Sequence, residues 1–128
     1  MGFVGLPTRG TIVVVERSAA VQELIEHALR EAGHPVLVTR NPLEALVLAR
    51  SVRIDVLVGD VATLDHERPG LVRQLRSIQP SLPVLYLGDR DRADHEDVED
   101  ASALRTPFSL GELQEAVAAT LDRGGEPR

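Results

Sequence analysis

The sequence predicts an α/β fold in which five short parallel strands alternate with helices. Short β-branched apolar runs recur along the chain, and the segments between them show helical apolar spacing. This alternation is typical of a parallel sheet covered by helices on both faces. A length of 128 residues, with 43% hydrophobic and 27% charged residues, fits one packed domain.

Five runs of apolar and β-branched residues are the strand candidates. The longer ones are continuously apolar, as expected for strands buried on both faces of a sheet. The second and fifth runs are weaker candidates, because one is less apolar and the other is very short. The five runs span residues 11–15, 35–39, 56–58, 84–87 and 102–104.

Apolar spacing predicts the first and third helices. The first is expected to end near Gly33, and residues at i, i+3, i+4, i+7 and i+8 form its apolar face. Leu71, Leu75 and Ile78 mark the third helix, which Pro80 ends. The apolar face of the first helix comprises Val21, Leu24, Ile25, Ala28 and Leu29.

Start signals predict the second and last helices. Asn41 is a candidate N-cap, Pro42 suits the first helical position, and Glu44 would complete a capping box. Ser109 and Glu112 form a second candidate capping box. An apolar stripe follows along the last helix, at Leu113, Ala116, Val117, Thr120 and Leu121.

Residues 89–100 are the weak part of the pattern. Seven of these twelve residues are acidic, so a helix there would bury little apolar surface. We expect a short, displaced or mobile helix within 89–101. The predicted domain spans residues 11–122, with flexible termini at 1–10 and 123–128.

Composition excludes several classes of function. The chain has no cysteine, which rules out disulfides, thiolate zinc sites and a cysteine nucleophile and fits a reducing compartment. A net charge of −6 opposes binding to nucleic acid or to an anionic membrane. No apolar run reaches the length of a membrane span, and the first residues do not form a signal peptide. We therefore expect a cytoplasmic protein.

Proteins with a parallel α/β sheet bind their ligands at the carboxyl ends of the strands. Here that edge would collect Glu16 and Arg17 after the first strand and Asp60 after the third. Gly88 follows the fourth strand, and Thr106 lies in the loop after the fifth. These five positions are the candidate site.

Residues 11–122 resemble the receiver domain of two-component response regulators. Residues 54–61 (IDVLVGDV) resemble the segment in which an aspartate, here Asp60, accepts a phosphoryl group. Residues 82–87 (LPVLYL) and 107–109 (PFS) resemble the fourth strand and the turn after the fifth. The amino-acid sequence of these segments is most similar to that of receivers of hybrid histidine kinases. The resemblance implies a flavodoxin-like doubly wound sheet with strand order 2-1-3-4-5.

The pocket departs from the receiver pattern at four positions. Receivers usually carry two acidic residues after the first strand, and the matching pair is Glu16 and Arg17. The hydroxyl residue of the family falls on Gly88, and its lysine falls on Thr106. The aromatic switch residue falls on Ala103.

These departures change the charge of the pocket. Glu16 and Asp60 contribute −2 and Arg17 contributes +1, which leaves about −1 where a usual receiver pocket has about −2. The lower negative charge of the pocket therefore no longer requires a magnesium ion to neutralise it. A phosphoryl group on Asp60 would lack a neutralising metal ion or lysine. No metal site is expected; Glu16 and Asp60 would be its ligands if there were one.

The first hypothesis is a degenerate receiver, or pseudo-receiver, that acts as a protein-interaction module and not as an enzyme. Its partner would be a histidine kinase or another two-component protein, docked on the last helix and its neighbouring strand by resemblance, and a homodimer is possible. The alternative is a phosphorylatable receiver in which Asp60 accepts phosphate from a histidine kinase with Mg²⁺ as the cofactor. A third hypothesis is a ligand-binding domain with a pocket at the strand ends.

Two side chains have more than one interpretation. Asp60 is either a phosphoacceptor or a strand-end carboxylate satisfied by backbone amides or an ion pair. Arg17 either points to solvent or turns inward as a partner of Asp60. The acidic histidine clusters at 65–67 and 95–97 fit solvated loops better than a metal site, because their spacing matches no zinc pattern.

Overall fold

In a computed structural model, described over residues 11–66, 70–88 and 101–124, five strands form one parallel sheet. The strand order is β2-β1-β3-β4-β5, which confirms the predicted fold. Both weak strand candidates form strands. The strands are β1 (Thr11–Val15), β2 (Val36–Thr39), β3 (Ile54–Asp60), β4 (Val84–Leu87) and β5 (Ala101–Leu104).

The described residues also form four α-helices and one π-helical segment. The π-helical segment, Ala62–His66, directly follows β3. None of the described helices is long and apolar enough to cross a membrane. The predicted weak helix falls on residues 89–100, which lie outside the described ranges, as do 1–10 and 125–128. The helices are α1 (Ala19–Glu31), α2 (Pro42–Ala49), α3 (Leu71–Ile78) and α4 (Leu110–Gly124), so α4 runs two residues beyond the predicted domain end.

The sheet separates two apolar cores. Val13 and Val15 of β1 point into one core with α2 and α3, while Ile12 and Val14 point into the other with α1 and α4. Alternate residues of a strand face opposite sides of a sheet. The continuous apolar run of β1 therefore reflects burial on both faces.

The apolar face predicted for α1 is too wide. Ile25, Ala28 and Leu29 are buried, but Val21 is 41% exposed and Leu24 is 56% exposed. Three residues spaced at i, i+3 and i+4 are enough to fill the contact with the sheet. Val21 and Leu24 therefore lie at the margin of the contact, where they remain in solvent.

The predicted capping of α2 is right in part. The Asn41 side chain accepts from the Leu43 amide at 2.9 Å, and Pro42 occupies the first helical position. Glu44 does not complete a capping box, because its carboxylate accepts a hydrogen bond from the Thr39 hydroxyl. The Thr39 hydroxyl lies at the end of β2 and binds the carboxylate in place of the Asn41 amide, which a capping box would use.

The capping box of α4 is confirmed. The Ser109 amide donates to Glu112 Oε1 at 2.8 Å, and the Glu112 amide donates to Ser109 Oγ at 3.0 Å. α1 has an N-cap that the pattern did not reveal, since Ser18 Oγ accepts from the Val21 amide at 3.3 Å. Both caps lie at the carboxyl edge of the sheet and fix where these helices begin.

Candidate functional site

The register of the sheet brings Glu16 and Asp60 together. Val15 of β1 pairs with Gly59 of β3, so the next residues along each strand are neighbours at the carboxyl edge. Asp60 in turn pairs with Leu87 of β4. The two acidic residues of the candidate site therefore follow adjacent strands, as the sequence predicts.

Glu16 is held by the turn that leads into α1. Its side chain is largely buried, with the residue 9% exposed, and Oε2 accepts from the Ser18 amide at 3.0 Å. Its own amide donates to Thr39 O at 3.0 Å. Because Ser18 also caps α1, the Glu16 carboxylate is part of the structure that starts this helix.

Asp60 is held in a similar way by the residues that follow it. The residue is half-buried, and Oδ1 accepts from the Thr63 amide at 2.7 Å. The bond spans three residues, like that of a helix N-cap, in which a side-chain oxygen accepts from an amide of the first turn. It leads the chain directly into the π-helical segment.

Gly59 allows that segment to pack closely over the end of β3. A Cβ atom on Gly59 would lie 2.9 Å from Leu64 Cγ and 3.0 Å from Val15 O. Leu64 is fully buried. Sequence reasoning did not single out Gly59, although a glycine inside an apolar strand signals a close approach of this kind.

Arg17 is exposed. Its carbonyl oxygen accepts from Arg40 Nε at 3.2 Å, which links the β1–α1 loop to the loop after β2. The solvent-facing and inward-facing interpretations of the Arg17 side chain both stay predictions.

Gly88 adopts a conformation that side-chain-bearing residues rarely take. Its φ is +111°, and its amide donates to Leu104 O at 2.8 Å. A Cβ atom placed on Gly88 would meet nothing within 4 Å. The constraint at this position is therefore the backbone angle and not crowding.

Thr106 and Ala103 lie on the β5 side of the site. Both are exposed, and the peptide bond between Thr106 and Pro107 is cis. Ala103 pairs with Tyr86, a fully buried residue of β4. Neither position supplies a charge, and Ala103 offers only a methyl group beside the fourth strand.

Glu16 and Asp60 are the candidate ligands for a magnesium ion at this edge of the sheet. Such an ion needs near-octahedral oxygen coordination and is usually held by carboxylates. Glu16 and Asp60 follow adjacent strands, and each uses one carboxylate oxygen to accept a backbone N–H. Within the described ranges, no three histidine or acidic residues come together as a metal site, and the side chains of the histidine clusters at 65–67 and 95–97 lie outside that description.

A shallow depression of about 190 Å³ lies at the opposite, amino-terminal edge of the sheet. It is away from the candidate site. Its lining residues are Ile12, Ala32, Gly33, His34, Pro35, Asp55 and Leu121.

Comparison with curated proteins finds response regulators. The chain is 36% identical over 116 residues to the response regulator MprA of Mycobacterium ulcerans, a match that covers 88% of this chain and 50% of that protein. The chain thus spans about half the length of the curated relatives it matches. No family model matches the chain.

Comparison with solved structures finds receiver domains. A response regulator receiver protein from Sinorhizobium medicae has a TM-score of 0.77 and 24% identity, covering 91% of this chain and 98% of that one. The receiver domain of the hybrid histidine kinase CckA has a TM-score of 0.71 and 28% identity, covering 88% and 99%. The chain is thus related in sequence to response regulators and has the fold of their receiver domains.

Proposed function

We propose that this chain is a pseudo-receiver that works by binding another protein, without magnesium-dependent phosphorylation of Asp60. One observation carries the proposal. The two acidic side chains that remain in the pocket, Glu16 and Asp60, both accept backbone N–H groups, and the third acidic position is an exposed arginine. These two carboxylates therefore stabilise the turns after β1 and β3.

Electrostatics supports the same function. A phosphoryl group adds about 1.5 to 2 negative charges near neutral pH. Phosphoryl transfer in proteins relies on metal ions and cationic side chains to stabilise that charge. Thr106 stands where the family has its lysine and supplies no cation. A phosphoryl group on Asp60 would be left beside the Glu16 carboxylate.

The backbone conformation of Gly88 also disfavours a hydroxyl-bearing side chain at this position. At φ of +111° a threonine or serine would be strained, so the hydroxyl group of the family cannot be restored by substitution alone. The turn after β4 has a backbone shape that suits glycine. With Ala103 on β5, neither end of the family's hydroxyl–aromatic switch is present.

The proposed partner is a histidine kinase or another two-component protein, and the location is cytoplasmic. The relatives of the chain are response regulators, and the cysteine-free composition fits a reducing compartment. We propose the α4 face and neighbouring β5 as the docking surface, with a homodimer through the same surface as the alternative occupant. In either case the role is binding and not catalysis.

One observation favours phosphorylation as the second candidate function. Asp60 is only half-buried, and no described contact occupies its second carboxylate oxygen. A phosphodonor could therefore approach that oxygen from solvent. The two functions differ in whether Asp60 accepts a phosphoryl group at all.

Treatment with acetyl phosphate and magnesium, followed by intact-mass measurement, tests the proposal. We expect no adduct of phosphoryl mass on the wild-type chain. Asp60→Asn is the matched control, because it keeps the Oδ1 acceptor for Thr63 and removes the acceptor carboxylate. An adduct on the wild type that is missing in Asp60→Asn would establish the second candidate function.

A further inference from the structure

The two helical layers of the described residues carry opposite charge. α1 and α4 pack on one side of the sheet, and α2 and α3 pack on the other. α1 and α4 together contain six acidic residues and two arginines, and none of the six is buried. The exposed surface of α1 and α4 is therefore negative, and we call it the acidic face. Its acidic residues are Glu23, Glu26, Glu31, Glu112, Glu115 and Asp122.

The exposed surface of α2 and α3 is positive, and we call it the basic face. Arg40 and Arg50 are exposed just before and just after α2, and Arg73 is exposed on α3. Glu44 is the one acidic residue of these two helices, and its carboxylate accepts a hydrogen bond from the Thr39 hydroxyl. The basic face therefore has a net positive charge although the whole chain has a net charge of −6.

Each face is a surface of two helices that are tied together. Gln114 Nε2 of α4 donates to Ala28 O of α1 at 2.8 Å. Gln79 Nε2, at the end of α3, donates to Ala49 O of α2 at 2.8 Å. Each face therefore presents its charges in a fixed arrangement.

Both faces also carry exposed apolar side chains. On the basic face, Leu43 is 46% exposed and Val47 is 67% exposed. On the acidic face, Val21 is 41% exposed and Leu24 is 56% exposed. Exposed ion pairs contribute little free energy, whereas burying apolar surface contributes more. The apolar residues can therefore supply the energy of a contact that the charges orient.

A second copy of the chain has the surface that the basic face requires. Its acidic face offers the opposite charge together with apolar side chains of similar size. Opposite potentials on two surfaces favour their encounter and fix their orientation. A symmetric contact would instead place two basic faces, or two acidic faces, against each other, and like charges across an interface are unfavourable.

We propose that the basic face of one copy binds the acidic face of a second copy, head to tail. The two faces lie on opposite sides of the sheet, so each copy in a pair keeps one face available for a further copy. Contacts of this heterologous kind build rings or open chains. With only two exposed apolar side chains on α2, the association is weak and grows with concentration. The inference goes beyond the proposed function, because it gives α2 and α3 a role and does not depend on Asp60.

Sedimentation velocity of the wild-type chain tests whether it self-associates. At low ionic strength, we expect the sedimentation coefficient to rise with protein concentration. Salt should reduce the rise, because the screening length falls from about 10 Å at 0.1 M to about 3 Å at 1 M. A sedimentation coefficient of a monomer at every concentration overturns the proposal. The acidic residues 89–100, which lie outside the described ranges, would then be a competing occupant of the basic face.

Two variants, each altered on one face, test whether the contact joins unlike faces. Val47→Asp puts a negative charge in the basic face, and Leu24→Arg puts a positive charge in the acidic face. Each variant alone should remain a monomer, because every contact needs both faces. An equal mixture should form a 1:1 dimer that does not grow, since one intact acidic face meets one intact basic face. Leu37→Asp is the matched control, because Leu37 is 37% exposed on the edge strand β2, and it should associate like the wild type.

The same variants give the results that contradict a head-to-tail contact. Undiminished association of Val47→Asp would show that α2 is not part of the interface. A mixture that stays monomeric would show that the two faces do not bind each other. Loss of association in Leu37→Asp as well would show that the contact lies elsewhere. Circular dichroism of each variant establishes that it is folded before these comparisons are made.

Discussion

Asp60 Oδ1 accepts a hydrogen bond from the Thr63 amide at 2.7 Å. This carboxylate therefore has a structural role, because it starts the turn into the π-helical segment. Leu64 follows at once and packs over Gly59, which lacks the Cβ that would block it. The aspartate that the resemblance predicts to be a phosphoacceptor therefore also fixes the end of β3.

Asp60→Ala should destabilise the domain by about 1 kcal/mol, because the Thr63 amide loses its acceptor. Asp60→Asn keeps an acceptor oxygen in the same place and should change the free energy of unfolding by less than half as much. Urea denaturation of both variants measures the difference. Equal losses for the two variants would show that the charge of Asp60, and not the hydrogen bond, is what matters.

Gly88→Ala should cost about 1 kcal/mol or more, although a Cβ there would meet nothing within 4 Å. The cost comes from the backbone angle. Gly111→Ala is the matched control, because Gly111 lies in α4 and its added Cβ would make only an ordinary 3.8 Å contact with Ser109 Oγ. That substitution should stabilise the chain by about 0.5–1 kcal/mol. The melting temperatures of the two variants should therefore shift in opposite directions. A higher melting temperature for Gly88→Ala than for the wild type would contradict the role given to this backbone angle.

Leu113→Ala should cost about 2–5 kcal/mol, because Leu113 is fully buried between α4 and the sheet. Leu110, one turn earlier on the same helix, is 40% exposed. Leu110→Ala should therefore cost under about 1 kcal/mol. Chemical denaturation compares the two, and similar losses would mean that α4 does not pack as described.

Gln79→Leu should cost about 1–3 kcal/mol, because one amide side chain serves three backbone groups. Gln79 Nε2 donates to Ala49 O at 2.8 Å and to Val52 O at 2.6 Å, and its Oε1 accepts from the Ile54 amide at 2.9 Å. It therefore ties the end of α3 to the α2–β3 loop. Gln74→Leu, on the exposed side of α3, is the control and should be near neutral in the same denaturation experiment.

The sequence predicts the sheet well because its signals are local. Continuous apolar runs such as β1 require burial on both faces, and this alone implies helices on both sides. The α4 capping box is equally local, since Ser109 and Glu112 are three residues apart. By contrast, the exposure of Leu24 depends on how far a neighbouring helix extends, which periodicity along one helix does not reveal.

The site is predictable as a set of positions but not as a set of contacts. Parallel topology places Glu16 and Asp60 at one edge, and the pairing of Val15 with Gly59 makes them the next residues on adjacent strands. The hydrogen bonds that occupy them come from Ser18 and Thr63, whose amides depend on turn geometry. The positive φ of Gly88 is likewise a property of the turn, and any sequence with glycine there allows it without requiring it.

Calorimetric titration of magnesium into the wild-type domain tests the central claim most directly. We predict no binding up to millimolar concentrations, because the pocket carries a charge of about −1 and lacks a third carboxylate. Arg17→Asp is the comparison variant: it changes the pocket charge from about −1 to about −3 and restores a third carboxylate, so it should bind the ion. Magnesium binding by the wild-type chain, abolished by Asp60→Asn, would contradict the pseudo-receiver account.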